Sequence, residues 1–455
     1  MTRYPTGSGR LRRRSTRAGL LAAVTGLGLL ASCTSGTSAG TAGSTSSSSA
    51  TVASSAAAPT SSVASTPSTP SSTGASSSDT PTTAVTTATT GTSATGEDKG
   101  AALDQALAEL VAMPGGVPGV IAVVQVGNDR TVHTAGYADV KTKTKPTVND
   151  HLRVASVAKA FSGATALALV QAGKLSLDDT VGRRLPSAPK AFAKVTLRQL
   201  LSHTSGVPDI LKSKKFVERY VADPAKPPSP AGLVALVGDQ PLDFPSGTRY
   251  VYSNTDNILV GLMIEAVTHQ TYAQALSSIV ATPLKLTNTS LPTSLALGTP
   301  TMHGYEWEPP ATVTDVTDGL APGWAWASGG VVSTPAELNT FVRAYVGGAL
   351  FGAKVRGEQQ RLFIPGGESG PPGPGDNSAS LALFRYQTTC GTVYGHTGNT
   401  VGYTQFIAAS PDGSRSVTVS INLQVNEQSK DQAAFVFHAL QRAELAAVCV
   451  AMDGS

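Results

Sequence analysis

The stretch RVASVAKAF, residues 153–161, places one hydroxyl and one amine in an otherwise apolar segment. Ser156 and Lys159 are three residues apart, and on an α-helix residues at that spacing lie side by side on one face. The apolar neighbours indicate the buried start of a helix, which we expect to run from Ser156 to Ala172 and to end at Gly173. A lysine in such a segment either reaches water or has a chemical role.

The spacing alone is a weak indicator, because the chain carries a second copy, SAPK at 187–190. Its internal Pro189 predicts a loop in which Lys190 is fully solvated. A solvated lysine keeps its charge and cannot act as a base, whereas a lysine desolvated in an apolar helix loses its proton near neutral pH. The same pattern therefore predicts opposite behaviour at the two places.

The segment YVYSNTDN, at 250–257, supplies a phenol and an amide. Tyr252 and Asn254 project to the same side of an extended backbone. We expect the deprotonated phenol of Tyr252 to be favoured beside the Lys159 ammonium, so that it takes the serine proton and returns it to a leaving group. Asn254 would hold Lys159 on one side and a substrate carbonyl on the other. The alternative interpretation is a turn tyrosine, with Asn254 in an Asx turn.

The segment YGHTGNTVGY, at 394–403, predicts a strand that leads to a turn at SPDG, 410–413. Within it, Gly398 permits another backbone to approach closely. Thr397 offers a hydroxyl, and His396 offers a titratable hydrogen-bond donor. For His396 taken alone, the alternative is a packed strand residue.

The order of the elements predicts the fold class. Strand patterns GVIAVVQV and TVHTAGYADV lie near the start, and the alternating SVTVSINL, typical of a half-buried antiparallel strand, lies near the end. Helical segments fill the middle, and a helix over about 432–448 closes the chain. We therefore expect an α/β (α+β) fold, with an antiparallel sheet flanked by N- and C-terminal helices and an inserted all-helical lobe. The predicted sheet lobe covers about 98–152 and 376–455, and the helical lobe covers about 153–375.

The motifs SxxK, YxN and HTG occur in this order, together with LLSHTSGV (200–207), FPSGTRYVYSNTDN (244–257) and WASGGVVSTPAEL (326–338). This set resembles the serine β-lactamase and D-alanyl-D-alanine carboxypeptidase superfamily, in its class C-like branch, over nearly all of residues 100–450. The His-Thr-Gly variant of the third motif resembles actinomycete D,D-carboxypeptidases of the low-molecular-weight penicillin-binding type. The resemblance implies a two-lobe β-lactamase/transpeptidase-like fold with the active site in the cleft between the lobes.

The resemblance also implies a mechanism. Ser156 attacks the carbonyl of a D-Ala–D-Ala peptide or a β-lactam, and Lys159 and Tyr252 manage its proton. The backbone N–H groups of Ser156 and, by resemblance, Asn399 hold the oxyanion. Asn254, His396, Thr397 and Gly398 bind substrate, and the His396 charge would help to hold its carboxylate.

Two departures from the family pattern concern substrate binding and deacylation. Where relatives have glycines before the third-motif strand, this chain reads SLALFRY at 380–386, which makes Arg385 a candidate partner for a substrate carboxylate. No glutamate segment of the class A type lies between Lys159 and Tyr252. Deacylation would then fall to Tyr252.

Charge and composition indicate export rather than nucleic-acid binding. Residues 1–33 hold six of the chain's 34 basic residues and no acid, which leaves 28 basic against 30 acidic residues. No basic surplus remains to neutralise phosphates. The basic start, the apolar run and LLASC predict a lipoprotein signal peptide over 1–33, with Cys33 lipidated on the outer face of a bacterial cell membrane. An ordinary secretory signal is the alternative.

A tether and two further cysteines complete the sequence-based expectations. Residues 34–97 are almost entirely Ser, Thr, Ala, Gly and Pro, a composition typical of a disordered tether, and residues 98–455 form the hydrolase domain. In an exported protein Cys390 and Cys449 predict one disulfide, with two buried thiols as the alternative. No metal-ligand spacing is present, so we expect no metal and no cofactor.

Several functions remain open at this point. The leading one is a serine D,D-carboxypeptidase that acts on peptidoglycan and is acylated by β-lactams. The alternatives are a class C-like β-lactamase, an esterase or D-aminopeptidase on the same scaffold, and, from another class, a non-catalytic penicillin- or peptidoglycan-binding lipoprotein. The substrate, the deacylation rate and the oligomeric state do not follow from motif spacing.

Overall fold

The computed structural model describes residues 96–308, 312–361, 364–365, 372–425 and 432–453. The predicted signal peptide, Cys33 and the predicted tether up to residue 95 lie outside the described residues. The first helix begins at Gly96, two residues before the predicted start of the hydrolase domain.

An eight-stranded antiparallel sheet contains strands from both ends of the chain. In spatial order its strands are β2-β1-β12-β11-β10-β9-β8-β7, so β1 lies hydrogen-bonded between β2 and β12. Two two-stranded sheets, β3-β6 and β4-β5, lie apart from it. The strands are β1 Gly119–Val126, β2 Asp129–Gly136, β3 Leu152–Arg153, β4 Tyr305–Glu308, β5 Thr312–Asp315, β6 Val332–Ser333, β7 Ile364–Pro365, β8 Asp376–Ala379, β9 Phe384–Thr388, β10 Gly391–Thr400, β11 Tyr403–Ala409 and β12 Arg415–Ile421. The predicted fold class is confirmed.

Helices cover both faces of the sheet. Most of them lie, in sequence, between the N-terminal and the C-terminal strands of the sheet. The α-helices are α1 Gly96–Ala112, α2 Ala158–Gln171, α3 Val181–Arg184, α4 Leu197–Leu201, α5 Lys214–Ala222, α6 Pro230–Ala235, α7 Asn254–Thr268, α8 Tyr272–Leu276, α9 Pro335–Gly347, α10 Ala353–Arg361 and α11 Gln432–Asp453. Short 3₁₀ turns include Ala155–Val157, Ile210–Lys212 and Trp326–Ser328. One strand of the main sheet, β7, falls within the range that we assigned to the helical lobe.

Strand β1 shows how the sheet separates two cores. Val120 and Ala122 belong to one apolar cluster together with residues of α1 and α11, whereas Ile121 and Val123 belong to a second cluster with residues of α2, α7 and α9. This alternation follows from the two-residue period of a strand. The sheet is therefore a middle layer that is buried on both sides.

The prediction of a half-buried last strand was wrong for β12. Its serines and threonine at 416, 418 and 420 are as buried as its valines. Helix α9 covers that face, and the Ser416 hydroxyl donates to Asn339 Oδ1 of α9 at 3.1 Å. The polar residues of this strand face a helix rather than water, which their pattern alone could not indicate.

Helix ends follow the local sequence closely. Thr334 is the N-cap of α9, and its hydroxyl accepts the Glu337 N–H. Helix α2 ends at Gln171 and is followed by Gly173 at φ +70°, with the Lys174 N–H bonded to the Leu169 carbonyl. That is the left-handed cap predicted at Gly173.

Helix α11 is the described element that combines length and apolar character sufficient for a membrane span, over Ala434–Met452. Half of this segment is buried inside the protein, where it packs with α1 against the sheet. A buried core helix meets the same criterion. Cys449 on α11 is joined by a disulfide to Cys390, in the turn between β9 and β10.

The disulfide generates a stability prediction. Replacing both Cys390 and Cys449 by serine opens a cross-link with a sequence separation of 59 residues. We expect the free energy of unfolding to fall by about 4 kcal/mol, because the cross-link restricts the unfolded chain. Denaturant titrations of both proteins, made in an oxidising compartment, measure the difference. Free thiols at both positions in non-reducing peptide maps of the natural sequence would contradict the pairing.

Candidate active site

Ser156 lies on a tight turn between β3 and α2 rather than inside the helix predicted for it. The turn begins with Ala155 at φ +51°, a left-handed conformation that is uncommon for a residue with a Cβ atom. Ala155 is also the first residue of a 3₁₀ turn over Ala155–Val157, and α2 begins at Ala158. The Val154 N–H donates to the Val331 carbonyl of the neighbouring segment at 3.1 Å, which anchors the turn.

Strand β10 lies directly against this turn. It pairs with β9 only as far as Gly395, and its later residues continue beside β11. A Cβ atom on Gly398 would lie 3.1 Å from both the Ala155 Cβ and the Ser156 nitrogen, and would overlap the Val154 carbonyl. The close approach predicted for Gly398 is therefore an approach to the serine turn itself.

Lys159 is completely buried in the first turn of α2. Its Nζ lies 3.1 Å from Ser156 Oγ, 2.7 Å from Asn254 Oδ1 and 2.8 Å from the Ser328 carbonyl oxygen. Nζ also lies 4.8 Å from the centre of the Tyr252 ring. The structure thus brings together the serine, the lysine, the tyrosine and the asparagine of the first two motifs.

Burial lowers the pKa of Lys159 to about 7, against the opposing charges of Asp209 and Asp256, which raise it. At neutral pH a large fraction of the amine is unprotonated and can accept a proton. Its distance to Ser156 Oγ is within hydrogen-bond reach, so Lys159 meets both requirements for a general base.

The Tyr252 phenol does not fit the role that its sequence context predicted. Burial raises its pKa well above the usual value, and Asp209 and Asp256 add to the rise, while interaction with Ser156 offsets only part of it. The expectation of an easily formed phenolate was wrong, because the buried surroundings and the two nearby carboxyl groups outweigh the ammonium. Tyr252 stays protonated and is suited to donate a proton.

Asn254 begins α7 and connects Lys159 to a carboxyl group. Its Oδ1 accepts from Lys159, as predicted, but its Nδ2 donates to the two Asp209 carboxyl oxygens at 3.2 and 3.3 Å. This nitrogen was expected to face a substrate carbonyl. Asp209 was not among the predicted site residues, although only Pro208 separates it from the end of the LLSHTSGV segment.

A second buried acid lies behind Tyr252. His203 Nδ1 is 2.9 Å from Asp256 Oδ2, and the Ser205 hydroxyl donates to Asp256 Oδ1 at 2.5 Å. The His203 ring lies 4.4 Å from the Tyr252 ring, centre to centre. Burial raises the pKa of Asp256 and lowers that of His203, so the His203 imidazole favours its neutral form. The LLSHTSGV segment therefore contributes the packing surface beneath the tyrosine.

His396 is buried in β10, and its ring packs edge-on against Phe384, 5.0 Å between centres. Its Nδ1–H donates to the Thr397 carbonyl at 2.5 Å. Burial lowers the pKa of His396 to about 3, so the imidazole is neutral at physiological pH. The expectation of a charged His396 that holds a carboxylate is not supported, whereas the alternative of a packed strand residue is compatible with this geometry.

The other third-motif residues are divided between the cleft and the sheet. Asn399 lines the cleft beside Ser156. Thr397 is buried beside Tyr386 and does not line the cleft. Arg385 lies in β9, paired with Ser378 and Tyr394, and it is not part of the cleft lining.

The second SxxK copy behaves as its proline predicted. Ser187 and Lys190 are both exposed, and Lys190 begins a short 3₁₀ turn. Neither contributes to the cleft at Ser156. The copy is a surface feature.

The cleft in front of Ser156 encloses about 820 Å³, including space that opens to solvent. Its wall is largely apolar, and Lys212, whose side chain is exposed, is the lysine among its lining residues. The lining residues are Ala155, Ser156, Asp209, Ile210, Leu211, Lys212, Phe216, Tyr252, Asn254, Leu320, Trp324, Ala325, Ser328, Gly329, Asn399, Thr400 and Gln424. Among the described residues, no group of three or more His, Cys, Asp or Glu side chains is arranged to hold a metal ion.

Comparisons with known proteins agree with this geometry. A family model described as Beta-lactamase matches residues 103–441. The solved structure of a D-stereospecific amidohydrolase from Streptomyces sp. is 31% identical, covers 75% of this chain and 98% of its own, and has a TM-score of 0.64. A D-amino acid amidase from Ochrobactrum anthropi SV3, complexed with L-phenylalanine amide, is 26% identical, covers 77% and 98%, and has a TM-score of 0.66.

Among curated relatives, Protein flp of Staphylococcus aureus (strain COL) is 32% identical over 184 residues, which is 39% of this chain and 35% of that protein. Penicillin-binding protein 4* of Bacillus subtilis (strain 168) is 28% identical over 173 residues, 38% and 37% of the two chains. This chain thus spans about a third of the length of the curated relatives it matches.

The Lys159 pKa of about 7 predicts how the rate of acylation depends on pH. We expect kcat/KM for acylation of Ser156 by a p-nitrophenyl ester to rise about tenfold per pH unit below neutrality and to level off above it, because only the unprotonated amine accepts the serine proton. The midpoint should lie at the Lys159 pKa of about 7. Rates measured across the pH range in which the fold is intact test this.

His396→Gln is the control, because His396, with its pKa of about 3, stays neutral throughout this range. The variant should keep the midpoint even if its absolute rate changes. A midpoint that disappeared in His396→Gln would assign the titration to the histidine and contradict the role given to Lys159.

Proposed function

This chain belongs to the beta-lactamase family, and from that premise we propose that it is a serine D,D-carboxypeptidase, which cleaves peptides ending in D-Ala–D-Ala and is acylated by β-lactams. The general class of enzyme is a serine hydrolase of the β-lactamase fold. The observation that carries the proposal is the buried Lys159 amine at 3.1 Å from Ser156 Oγ, at the base of an open cleft. The likeness to a D-stereospecific amidohydrolase supports a D-configured amide as substrate.

Acylation follows from the positions of the side chains. Ser156 Oγ attacks the carbonyl carbon of the amide, and its proton moves to Lys159 Nζ. The negative charge that forms on the carbonyl oxygen is stabilised by the backbone N–H groups of Ser156 and Asn399. The C–N bond then breaks, the amine of the terminal D-alanine takes up a proton, and an ester to Ser156 remains.

Tyr252 acts in this scheme as the proton donor to the leaving amine, because its phenol stays protonated at neutral pH. Lys159 then gives the proton that it took from Ser156 to Tyr252, so that both Lys159 and Tyr252 return to their starting protonation states. In deacylation a water molecule attacks the ester, its proton passes to Lys159, and Ser156 Oγ leaves with a proton. Lys159 rather than Tyr252 is therefore our candidate base for both halves of the reaction.

A D-amino acid amidase is the second candidate, and one specific observation favours it. His396, the residue at the cationic position of the third motif, is buried and neutral and so cannot offer a charge to a substrate carboxylate. An amide that releases ammonia carries no such carboxylate. Against this, the exposed Lys212 on the cleft wall supplies a cation that a peptide carboxylate can reach.

We also propose that the enzyme works outside the cell, held to the outer face of the membrane by a lipid on Cys33. The motif LLASC and the Ser/Thr-rich segment that follows it support this location. Peptidoglycan peptides and β-lactams are then the partners that it meets there.

The first prediction of this proposal concerns the nucleophile. Incubation with a fluorescent penicillin should give one covalent adduct by intact-mass spectrometry, and Ser156→Ala should abolish it because the Ser156 hydroxyl is the nucleophile that lies within hydrogen-bond distance of Lys159 in the cleft. Ser187→Ala is the matched control, since Ser187 belongs to the exposed copy of the motif and should leave labelling intact. An adduct that survives in Ser156→Ala, or that maps to Ser187, would exclude the assignment.

The second prediction separates the two candidate functions. We expect diacetyl-L-Lys–D-Ala–D-Ala to have a kcat/KM at least about tenfold above that of the same peptide with an amidated C-terminus, because a paired charge contributes on the order of 1 kcal/mol or more. Lys212→Met should reduce this ratio. Equal rates for the two peptides, together with rapid hydrolysis of D-phenylalanine amide, would favour the amidase.

A further inference from the structure

We propose that Asp209 is a positioning residue of the active site, which orients the Asn254 amide so that its oxygen meets Lys159 and whose negative charge acts on that amine. The proposal rests on the proposed function only in taking Lys159 as the base for Ser156. No motif of the sequence identified this carboxylate, and it lies on the wall of the cleft.

Asp209 is held in place by backbone and side-chain donors. Its Oδ1 accepts the Leu211 N–H at 3.2 Å, which caps the 3₁₀ turn over Ile210–Lys212, and the Asn254 N–H at 3.1 Å. The Asn254 Nδ2 donates to Oδ1 and Oδ2 at 3.2 and 3.3 Å. Burial raises the pKa of Asp209, and these bonds oppose that rise because they favour the ionised carboxylate.

The orientation of Asn254 follows from the fact that a carboxylate only accepts hydrogen bonds. An asparagine amide has a donor end and an acceptor end, and the donor end must face Asp209. The Oδ1 end is then turned to Lys159, which it meets at 2.7 Å. If Asp209 were absent, the amide could rotate and present its NH₂ group to the amine, where it would compete with Ser156 for the lone pair.

The charge of Asp209 acts in the same direction on Lys159. Burial lowers the Lys159 pKa, and of the two carboxyl groups that raise it, Asp209 has the larger effect and Asp256 the smaller. Asp256 is already bonded to His203 and Ser205. The remaining titratable groups around the amine are Tyr252, His203 and His396, and all three favour their neutral forms.

Asp209→Asn is the test variant, because it removes the charge and keeps an acceptor oxygen at the Oδ1 position. Protein labelled with ¹³C at lysine Cε is titrated by NMR, and the Lys159 resonance is assigned by its loss in Lys159→Met. Asp129→Asn, which removes an exposed carboxylate at the start of β2, is the matched control. This measurement needs no substrate.

We expect the Lys159 resonance to titrate near pH 7 in the natural sequence and in Asp129→Asn, and at a lower pH in Asp209→Asn. The acid limb of the ester acylation profile should move down by the same amount. An unchanged titration in a folded Asp209→Asn protein would overturn the proposal. If Asp209→Asn does not fold, Asp209→Ser, which can still cap the Ile210–Lys212 turn, is held to the same outcomes.

The two proposals fail in different ways. A protein in which Lys159 titrates as expected, but which reacts with neither β-lactams nor D-Ala–D-Ala peptides, would exclude the carboxypeptidase and leave the role of Asp209 intact. A protein that reacts with both, but whose Lys159 titration does not respond to Asp209→Asn, would exclude only the positioning role.

Discussion

The active site depends on the buried amine of Lys159, which is shielded from solvent but keeps hydrogen-bond partners inside the protein. Burying a charged ammonium without partners costs several kcal/mol, so a lysine in this position either finds acceptors or gives up its proton. Lys159 does both, since Ser156, Asn254 and the Ser328 carbonyl surround it and its pKa falls to about 7. These three acceptors come from segments that are far apart in sequence. The fold is what brings them within bonding distance.

The sheet explains how such separate segments are held in register. Its central strands come from both ends of the chain, and the helical segments that carry Lys159 and Asn254 pack on one of its faces. The two parts approach each other closely at Gly398, where a side chain of any size would strike the turn at Ser156. Ser156, the proposed nucleophile, is thereby placed against the strand that carries Asn399, whose N–H we assign to the oxyanion.

Burial also decides which group is the base. A tyrosine and a histidine near an active serine are both candidate bases by residue type, but here desolvation keeps Tyr252 protonated and lowers the pKa of His396 to about 3, which leaves its imidazole too weakly basic to hold a proton at neutral pH. The same desolvation lowers the pKa of Lys159 from its high ordinary value only to about 7, so that part of the amine is uncharged at neutral pH and still basic enough to accept a proton. One physical cause therefore disables the phenol as a base and enables the lysine, with Asp209 and Asp256 limiting the effect.

Local sequence determined the elements and the reacting groups of this protein. The helix end at Gly173, the strand at 119–126 and the pairing of Ser156 with Lys159 all depend on neighbours in the chain, and so they could be predicted. The burial of the polar face of β12, the protonation of Tyr252 and the partnership of Asp209 with Asn254 could not. Each of these is set by residues that come from elsewhere in the sequence, and a pKa or a buried polar contact depends on everything that surrounds the group. Only the tertiary structure brings those surroundings together.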